Sequence, residues 1–298
     1  MILKEIFRFL LFLIVLNFTI SLLTAIRSTD SVYLLADSGM KESDLQELQK
    51  KNSLPERTVS ISKSIFLLDF GKTLSGENVT RIIFQRLEPT LVLAVFSILV
   101  FGGMAIFLSL LSIYSRSPHL GNALSHFSNS ILSTPIFVVA VLLFIVFFLE
   151  LSLFPPGGYE RGSIAYLVLP GTALGSRTFA RIFLLSHSEC KKELESPYIT
   201  ILKSRGFGKN IIIFKYVFHK ILPPVLVFLL LDFSSLLSGA MIVEEIYFYP
   251  GIGKATYSAI KNMDENLLKG MLVYSGLIFY TITRLARSIQ SNLIQKSE

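Results

Sequence analysis

Asp232 stands in the middle of Ile221–Val243, a run that contains no other charged residue. An ionised side chain at that depth in an apolar helix costs roughly 2.5–3.5 kcal/mol unless water or a partner meets it. It therefore faces a hydrated path or a partner subunit, or else it is a structural hydrogen-bonding group for a neighbouring helix. An acidic pair, Glu244-Glu245, closes the same run and leads into Pro250-Gly251-Ile252-Gly253, a sharp turn of the kind Pro-Gly favours. These carboxylates could gate a mouth, meet a partner or sit in a solvated turn. The cations gather elsewhere, with Lys203, Arg205 and Lys209 flanking Gly206.

None of these patterns amounts to a catalytic constellation. His119, His126, His187 and His219 are scattered, whereas a membrane metalloprotease needs two histidines and a glutamate on one helical face. A serine nucleophile needs a base within hydrogen-bonding reach; only Asp232 lies deep in an apolar run, and no Gly-x-Ser-x-Gly elbow occurs. Gly71-Lys72-Thr73 copies the end of a phosphate-binding loop, but the glycine required five residues earlier is Phe66. Gly251-Ile252-Gly253-Lys254 also has the wrong spacing, so the chain lacks the amide cradle that holds nucleotide. Cys190 is the single cysteine, without a disulfide or metal-binding companion. The expectation is a protein that is not an enzyme, with no cofactor or metal site of its own.

The elements that must position these residues are apolar. Of 298 residues, 52% are hydrophobic and 16% charged, with mean hydropathy +0.61; a soluble domain carries about 25% charged residues. The uncharged residues cluster into Phe9–Ile26, Pro89–Ser115, Asn122–Leu149, Ser163–Ser186, Ile221–Val243 and about Leu267–Ala286. About 20 helical residues cross a hydrocarbon core, so the class is an all-α membrane protein of about six transmembrane helices. The first run follows Lys4 and Arg8 and lacks a small-residue cleavage site after Ile26, which favours an uncleaved anchor over a signal peptide. Arg177 and Arg181 share one face of the fourth helix, and are expected to anchor it at the inner interface. Pro118 and Gly121 break the link around Arg116–Gly121.

Three parts follow: an N-terminal transmembrane helix at 1–27, a polar extracytoplasmic insertion at 28–88, and a five-helix core at 89–298 with a cytoplasmic loop at 188–220. Within the insertion, Asp44–Lys51 reads as a short exposed helix and Asp69–Gly76 as a turn-rich segment. The net charge of +7 is explained by topology rather than by a nucleic-acid partner, because no recognition motif accompanies it. With the N-terminus inside, thirteen basic residues fall on the inner side and four in the short outer links. The positive-inside rule then places both termini in the cytoplasm. The insertion's eight basic and nine acidic residues nearly cancel.

The loop at 188–220 reads as a charged helix over Tyr198–Phe207, a glycine able to take positive φ at Gly206, and an amphipathic helix over Lys209–His219. A protruding helix–turn–helix of this kind is either a docking element or an ordinary positive-inside loop. Its spacing resembles the EAA loop of ABC importer permeases, in the variety found in dipeptide, oligopeptide and nickel permeases. Tyr198, Lys203, Arg205, Gly206, Lys215 and Pro224 occupy the family's positions, while its threonine and two alanines are Ile201, Leu202 and Ser204 here. A second segment is similar over a longer order: Leu236-Leu237-x-Gly239-x-x-x-x-Glu244, then Pro250-Gly251-x-Gly253. Asp30, Asp69–Leu74, Leu169-Pro170 and Ala180-Arg181 extend the likeness; the family's C-terminal Asp-Pro-Arg is replaced by Arg284–Glu298.

The resemblance implies a type I ABC importer permease fold in a bacterial cytoplasmic (inner) membrane. It implies a second homologous permease subunit, two cytoplasmic ATP-binding subunits and an extracytoplasmic solute-binding protein as partners. The cargo would be di- or oligopeptides, with nickel or a metal chelate as the near variant. Ser196–Asn210 would be the segment coupled to the ATPase, with Tyr198, Lys203, Arg205, Gly206, Phe207 and Lys209 as its key residues. Asp232, Glu244, Glu245, Pro250, Gly251 and Gly253 would belong to the translocation path or outer gate. A stand-alone secondary transporter or channel is the alternative from a different class; such proteins carry broken helices and paired ionisable groups at midplane.

Overall fold

An apolar run in lipid has no water to satisfy its backbone, so the segment must pair its own amides as helix. The computed structural model describes residues 2–36, 59, 61–65, 67, 69–115 and 118–295. Its regular structure is helical apart from an isolated antiparallel bridge between Lys72 and Asn78. The principal helices are α1 Ile2–Ala36, α2 Val79–Tyr114, α3 Pro118–Ser133, α4 Ile136–Glu150, α5 Ala165–Leu194, α6 Pro197–Ser204, α7 Lys209–Leu237, α8 Met241–Ile246, α9 Ile252–Lys261 and α10 Glu265–Gln295.

Among the described residues, α1, α2 and α7 are long and apolar enough to cross a membrane, and α3 with α4 make a fourth candidate bent by 101°. The third apolar run is therefore not one straight helix. Pro135 takes φ −58° and ψ 138°, which ends α3 and starts α4 in a new direction, as expected where the ring removes a donor and crowds the preceding turn. Helices α5 and α10 cover the fourth and sixth runs with 30 and 31 residues, but their polar residues keep them below that apolar level. The all-helical membrane class holds on these grounds.

Several boundaries move for identifiable reasons. Pro118 opens α3 instead of ending a helix, consistent with the preference of proline for a first turn that needs no amide. Gly121 lies inside α3, where a side chain would overlap the His187 ring. Helix α1 continues past Ile26 to Ala36, and α7 absorbs the expected amphipathic helix at 209–219. Pro223-Pro224 pass within α7 just after a wide π-helical stretch at Ile212–Val217. The expected helix at Asp44–Lys51 lies outside the described residues.

The chain divides into two units. In residues 1–87 with 255–277, the turn-rich segment is closed by its own polar groups: Asp69 Oδ1 accepts the Gly71 amide at 3.1 Å, and Thr73 N–H donates to Glu77 O at 2.8 Å. Asp264 Oδ2 accepts the Leu74 amide at 2.9 Å, and Asn266 Nδ2 donates to Lys72 O at 2.8 Å.

In residues 88–254 with 278–298, α5 is the central helix, packed by α2, α3, α4 and α7. Its small residues make that possible. Phe96 and Phe101 of α2 lie where side chains on Gly171 and Gly175 would be, the close approach that glycine permits between helices. Large apolar side chains such as Leu99, Phe107, Leu142 and Phe228 remain exposed, as suits helices solvated by lipid rather than water.

Candidate functional site

The hairpin between α5 and α7 is built on an apolar footing. Ser196 starts α6 in an extended conformation and Pro197 takes the first helical position. On α6, Ile199 and Leu202 are buried against Leu110, Cys190, Ile212, Ile213, Val217 and Ile221. The opposite face, including Lys203, Ser204, Arg205 and Phe207, is exposed. Gly206 takes φ +80°, with Gly206 N–H donating to Lys203 O at 3.0 Å and Phe207 N–H to Leu202 O at 3.2 Å. This left-handed closure ends the helix without strain because glycine has no Cβ.

Not every expected contact residue projects from this hairpin. Lys209 donates to the Tyr114 carbonyl and lies 5.1 Å from the Tyr114 ring centre, so it fastens the hairpin to the end of α2. Tyr198 is half-buried, and burial, followed by the nearby Glu193 carboxylate, holds its phenol above the ordinary value. Phe207 packs edge-on against Tyr216, ring centres 5.9 Å apart, so the free face is Lys203 and Arg205 around Gly206.

Asp232 finds its partner on α5. Arg181 Nη1 lies 3.1 Å from Asp232 Oδ1, with the aspartate side chain 5% exposed and the arginine 50%. Asp232 Oδ2 is buried without a hydrogen-bond partner. Arg177, one turn earlier, donates from Nη2 to Leu132 O at 3.4 Å, one of the last carbonyls of α3, which attract cations. These arginines therefore turn inward to the protein instead of serving only as interfacial anchors. Both line a cavity of about 230 Å³ with Asp232, Thr178, Ser235 and Gly239.

The segment after α7 is a tight knot. Gly239 takes φ +111°, and a Cβ on it would lie 2.8 Å from the Gly253 backbone; a Cβ on Gly253 would in turn meet Met241 N at 2.6 Å. Glu244 is fully buried. Its Oε2 accepts the Lys254 amide at 2.9 Å and its Oε1 the Thr90 hydroxyl at 3.2 Å, while Thr90 Oγ1 accepts the Ile252 amide at 2.8 Å. A side chain on Gly251 would overlap the Glu244 carboxylate. Burial is the largest influence on Glu244 and raises its carboxyl above the ordinary value; the Lys254 amide and the Thr90 hydroxyl pull the other way.

Tyr247 and Tyr249 close the knot, donating to Ala140 O at 2.8 Å and Pro89 O at 2.9 Å. Burial of Glu244 excludes a solvated-turn role for that residue. Glu245 and Pro250 are only partly buried, and Phe248 projects with Lys254 Nζ 4.9 Å from its ring centre.

Sequence reasoning singled out Asp232 and the Gly239–Gly253 order but not Arg181 or Thr90 as their partners. Arg181 was findable, because an acid in one apolar span and the two arginines of the preceding span each need compensation. Nothing in the sequence marks Thr90.

Among the described residues, apolar helices long enough to cross a membrane and an anchored hairpin that exposes Lys203 and Arg205 define a helical membrane protein. Its residues 105–297 match the family described as binding-protein-dependent transport system inner membrane component, and the chain belongs to that family. It is similar to a putative peptide transport system permease protein of Brucella abortus, 24% identical over 293 residues, covering 95% of this chain and 93% of the relative. The oligopeptide transport system permease protein AppB of Bacillus subtilis is 26% identical over 84% of this chain and 83% of its own length. OppB, the oligopeptide transport system permease protein of Salmonella typhimurium, is 31% identical over 48% of this chain and 47% of its own.

Proposed function

We propose that the chain is one of two membrane-spanning subunits of an ATP-driven importer for di- or oligopeptides. The observation that carries this reading is the hairpin: Ile199 and Leu202 fix it to the helical domain, while Lys203 and Arg205 stand clear beside Gly206. A rigid footing with a free basic tip can take up a push from outside the membrane domain and pass it to α5 and α7, which frame it. Because the chain lacks a phosphate-binding loop, two separate cytoplasmic ATP-binding subunits supply the work, and closure of that pair rocks the helices between inward and outward access. The peptide names of the Brucella, Salmonella and Bacillus relatives support the cargo.

In this reading six helices span a bacterial inner membrane with both termini inside, as the excess of inner basic residues requires. A second homologous permease completes the path, and an extracytoplasmic binding protein delivers peptide to the face carrying the Gly239–Gly253 knot. Affinity purification of the full chain from its own membranes tests this. The expected result is co-purification of a permease-like partner and ATP-binding subunits, with ATP-dependent uptake of labelled peptide after reconstitution. Uptake by the chain alone, without ATP, would make it a stand-alone transporter; uptake of nickel but no peptide would move the cargo to a metal chelate.

A further inference from the structure

The cavity beside Asp232 holds more unspent polar capacity than a structural brace requires. One carboxylate oxygen, Asp232 Oδ1, meets Arg181 at 3.1 Å; the other, Oδ2, is buried without a formed hydrogen bond although the residue is 4% exposed, and the Thr178 hydroxyl is the neutral group beside the carboxylate. A buried carboxylate oxygen left unmet is costly, about 1–3 kcal/mol or more for a charged group. A pure brace would be served by a bidentate arginine, which offers two parallel N–H groups. Arg181 instead keeps half its side chain exposed, and Arg177 makes one long bond at 3.4 Å. At about 230 Å³ the cavity is several times the roughly 30 Å³ share of one water. It is smaller than the roughly 300–1,000 Å³ of a site that encloses a whole ligand. It fits one polar end of a longer molecule.

We propose that Asp232 and Arg181 form a charge-exchange station for the free terminus of a peptide in transit, resting on the peptide-importer reading above. An α-ammonium group donates to Asp232 and releases Arg181; the freed guanidinium, with Arg177, then receives the carboxylate end of the next peptide. The exchange replaces one internal ion pair by two across the interface, so no charge is left uncompensated in the apolar interior, where the cost would be largest. Selection falls on the termini, which every peptide shares, while Ile136, Leu174 and Gly239 in the lining make no demand on side-chain identity. Breaking the Arg181–Asp232 bond also removes the ion pair between α5 and α7, the two helices that carry the hairpin and otherwise meet through Phe183 and Val225. Arrival of a peptide end is thereby felt at the ATPase-facing tip.

The test uses the complete reconstituted transporter with its binding protein and three probes: Ala-Ala-Ala, its N-acetyl form and its C-amide form. Wild type is expected to favour the free peptide over each blocked form, and Asp232→Asn should lower uptake of the free peptide about tenfold, the equivalent of one charged hydrogen bond. The same variant should leave N-acetyl uptake within about twofold of wild type, so that the preference collapses. Asn keeps an acceptor for Arg181, and the neutral pair Asp232→Asn with Arg181→Gln provides a second, brace-preserving variant should the first assemble poorly. If both variants lower uptake of all three probes by the same factor, the pair is a brace only and the station is overturned. Failure of wild type to take up any of the probes, with uptake of another cargo, would overturn the peptide reading and the station together.

Discussion

Removal of Glu244 should open the Gly239–Gly253 knot, and the size of the effect follows from its partners. Glu244→Ala leaves the Thr90 hydroxyl and the Lys254 amide without their acceptors in a fully buried site. Each unmet buried group costs about 1–3 kcal/mol, so the loss is about 2–5 kcal/mol before any cavity is counted. Glu244→Gln retains the shape and one carbonyl acceptor, and its amide can donate to Thr90, whose oxygen has a second lone pair; about 1 kcal/mol is expected. Trypsin cleavage after Lys254, in the detergent-solubilised complex, reports the open population directly when opening is fast. A loss of about 3 kcal/mol raises that population roughly a hundredfold. The alanine variant should therefore be cut far faster than wild type and the glutamine variant only several-fold faster. Equal cleavage of alanine variant and wild type, or of the two variants, would refute the keystone role.

Three further perturbations separate the parts of the account. Burial raises the Glu244 carboxyl above its ordinary 4.5, so its stabilising contribution is full below that unfolded value and is lost as pH rises through the folded one. The Tm deficit of Glu244→Gln relative to wild type should accordingly shrink as pH increases above about 4.5, and a pH-independent difference would contradict this. Gly206→Ala meets no neighbouring atom and so isolates the cost of a left-handed residue, about 1–2 kcal/mol; ATP-driven uptake should fall with membrane insertion intact, and normal uptake would contradict it. Lys203→Ala should weaken ATPase coupling with Tm unchanged, because Lys203 is exposed. Lys209→Ala should lower Tm because its bond to Tyr114 fastens the hairpin; identical behaviour of the two would erase that distinction.

The helices were legible because apolar runs in lipid have one solution, and the glycine at 206 because only a left-handed residue closes a hairpin so tightly. Proline misled in both directions. Pro118 starts a helix, Pro135 bends one by 101°, and Pro89, Pro170, Pro223 and Pro224 sit inside helices. The residue type restricts a turn, but neighbouring packing decides whether the chain bends. Asp232 was recognisable as a residue in need of a partner; that the partner is Arg181 depends on how α5 and α7 face each other, which no local pattern encodes. Glu244 reads from the sequence as a gate, a partner contact or a solvated turn, because its neighbours Glu245 and Pro250 are polar or turn-forming. Only the crossing of the Gly239 and Gly253 backbones explains why it is enclosed. Lys209 and Lys203 look equivalent in sequence and differ only by the reach of Lys209 to Tyr114.

In the proposed importer the tip around Gly206 meets a cytosolic ATP-binding subunit. Ser204→Cys places a thiol on the exposed face of α6, while the native Cys190 is buried and leaves the introduced group as the reactive one. Cross-linking this variant in intact cells should yield an adduct with the ATP-binding subunit, and a membrane-impermeant maleimide should label it only from inside-out vesicles. Labelling from the outside of intact cells, with no adduct to an ATPase, would contradict the account.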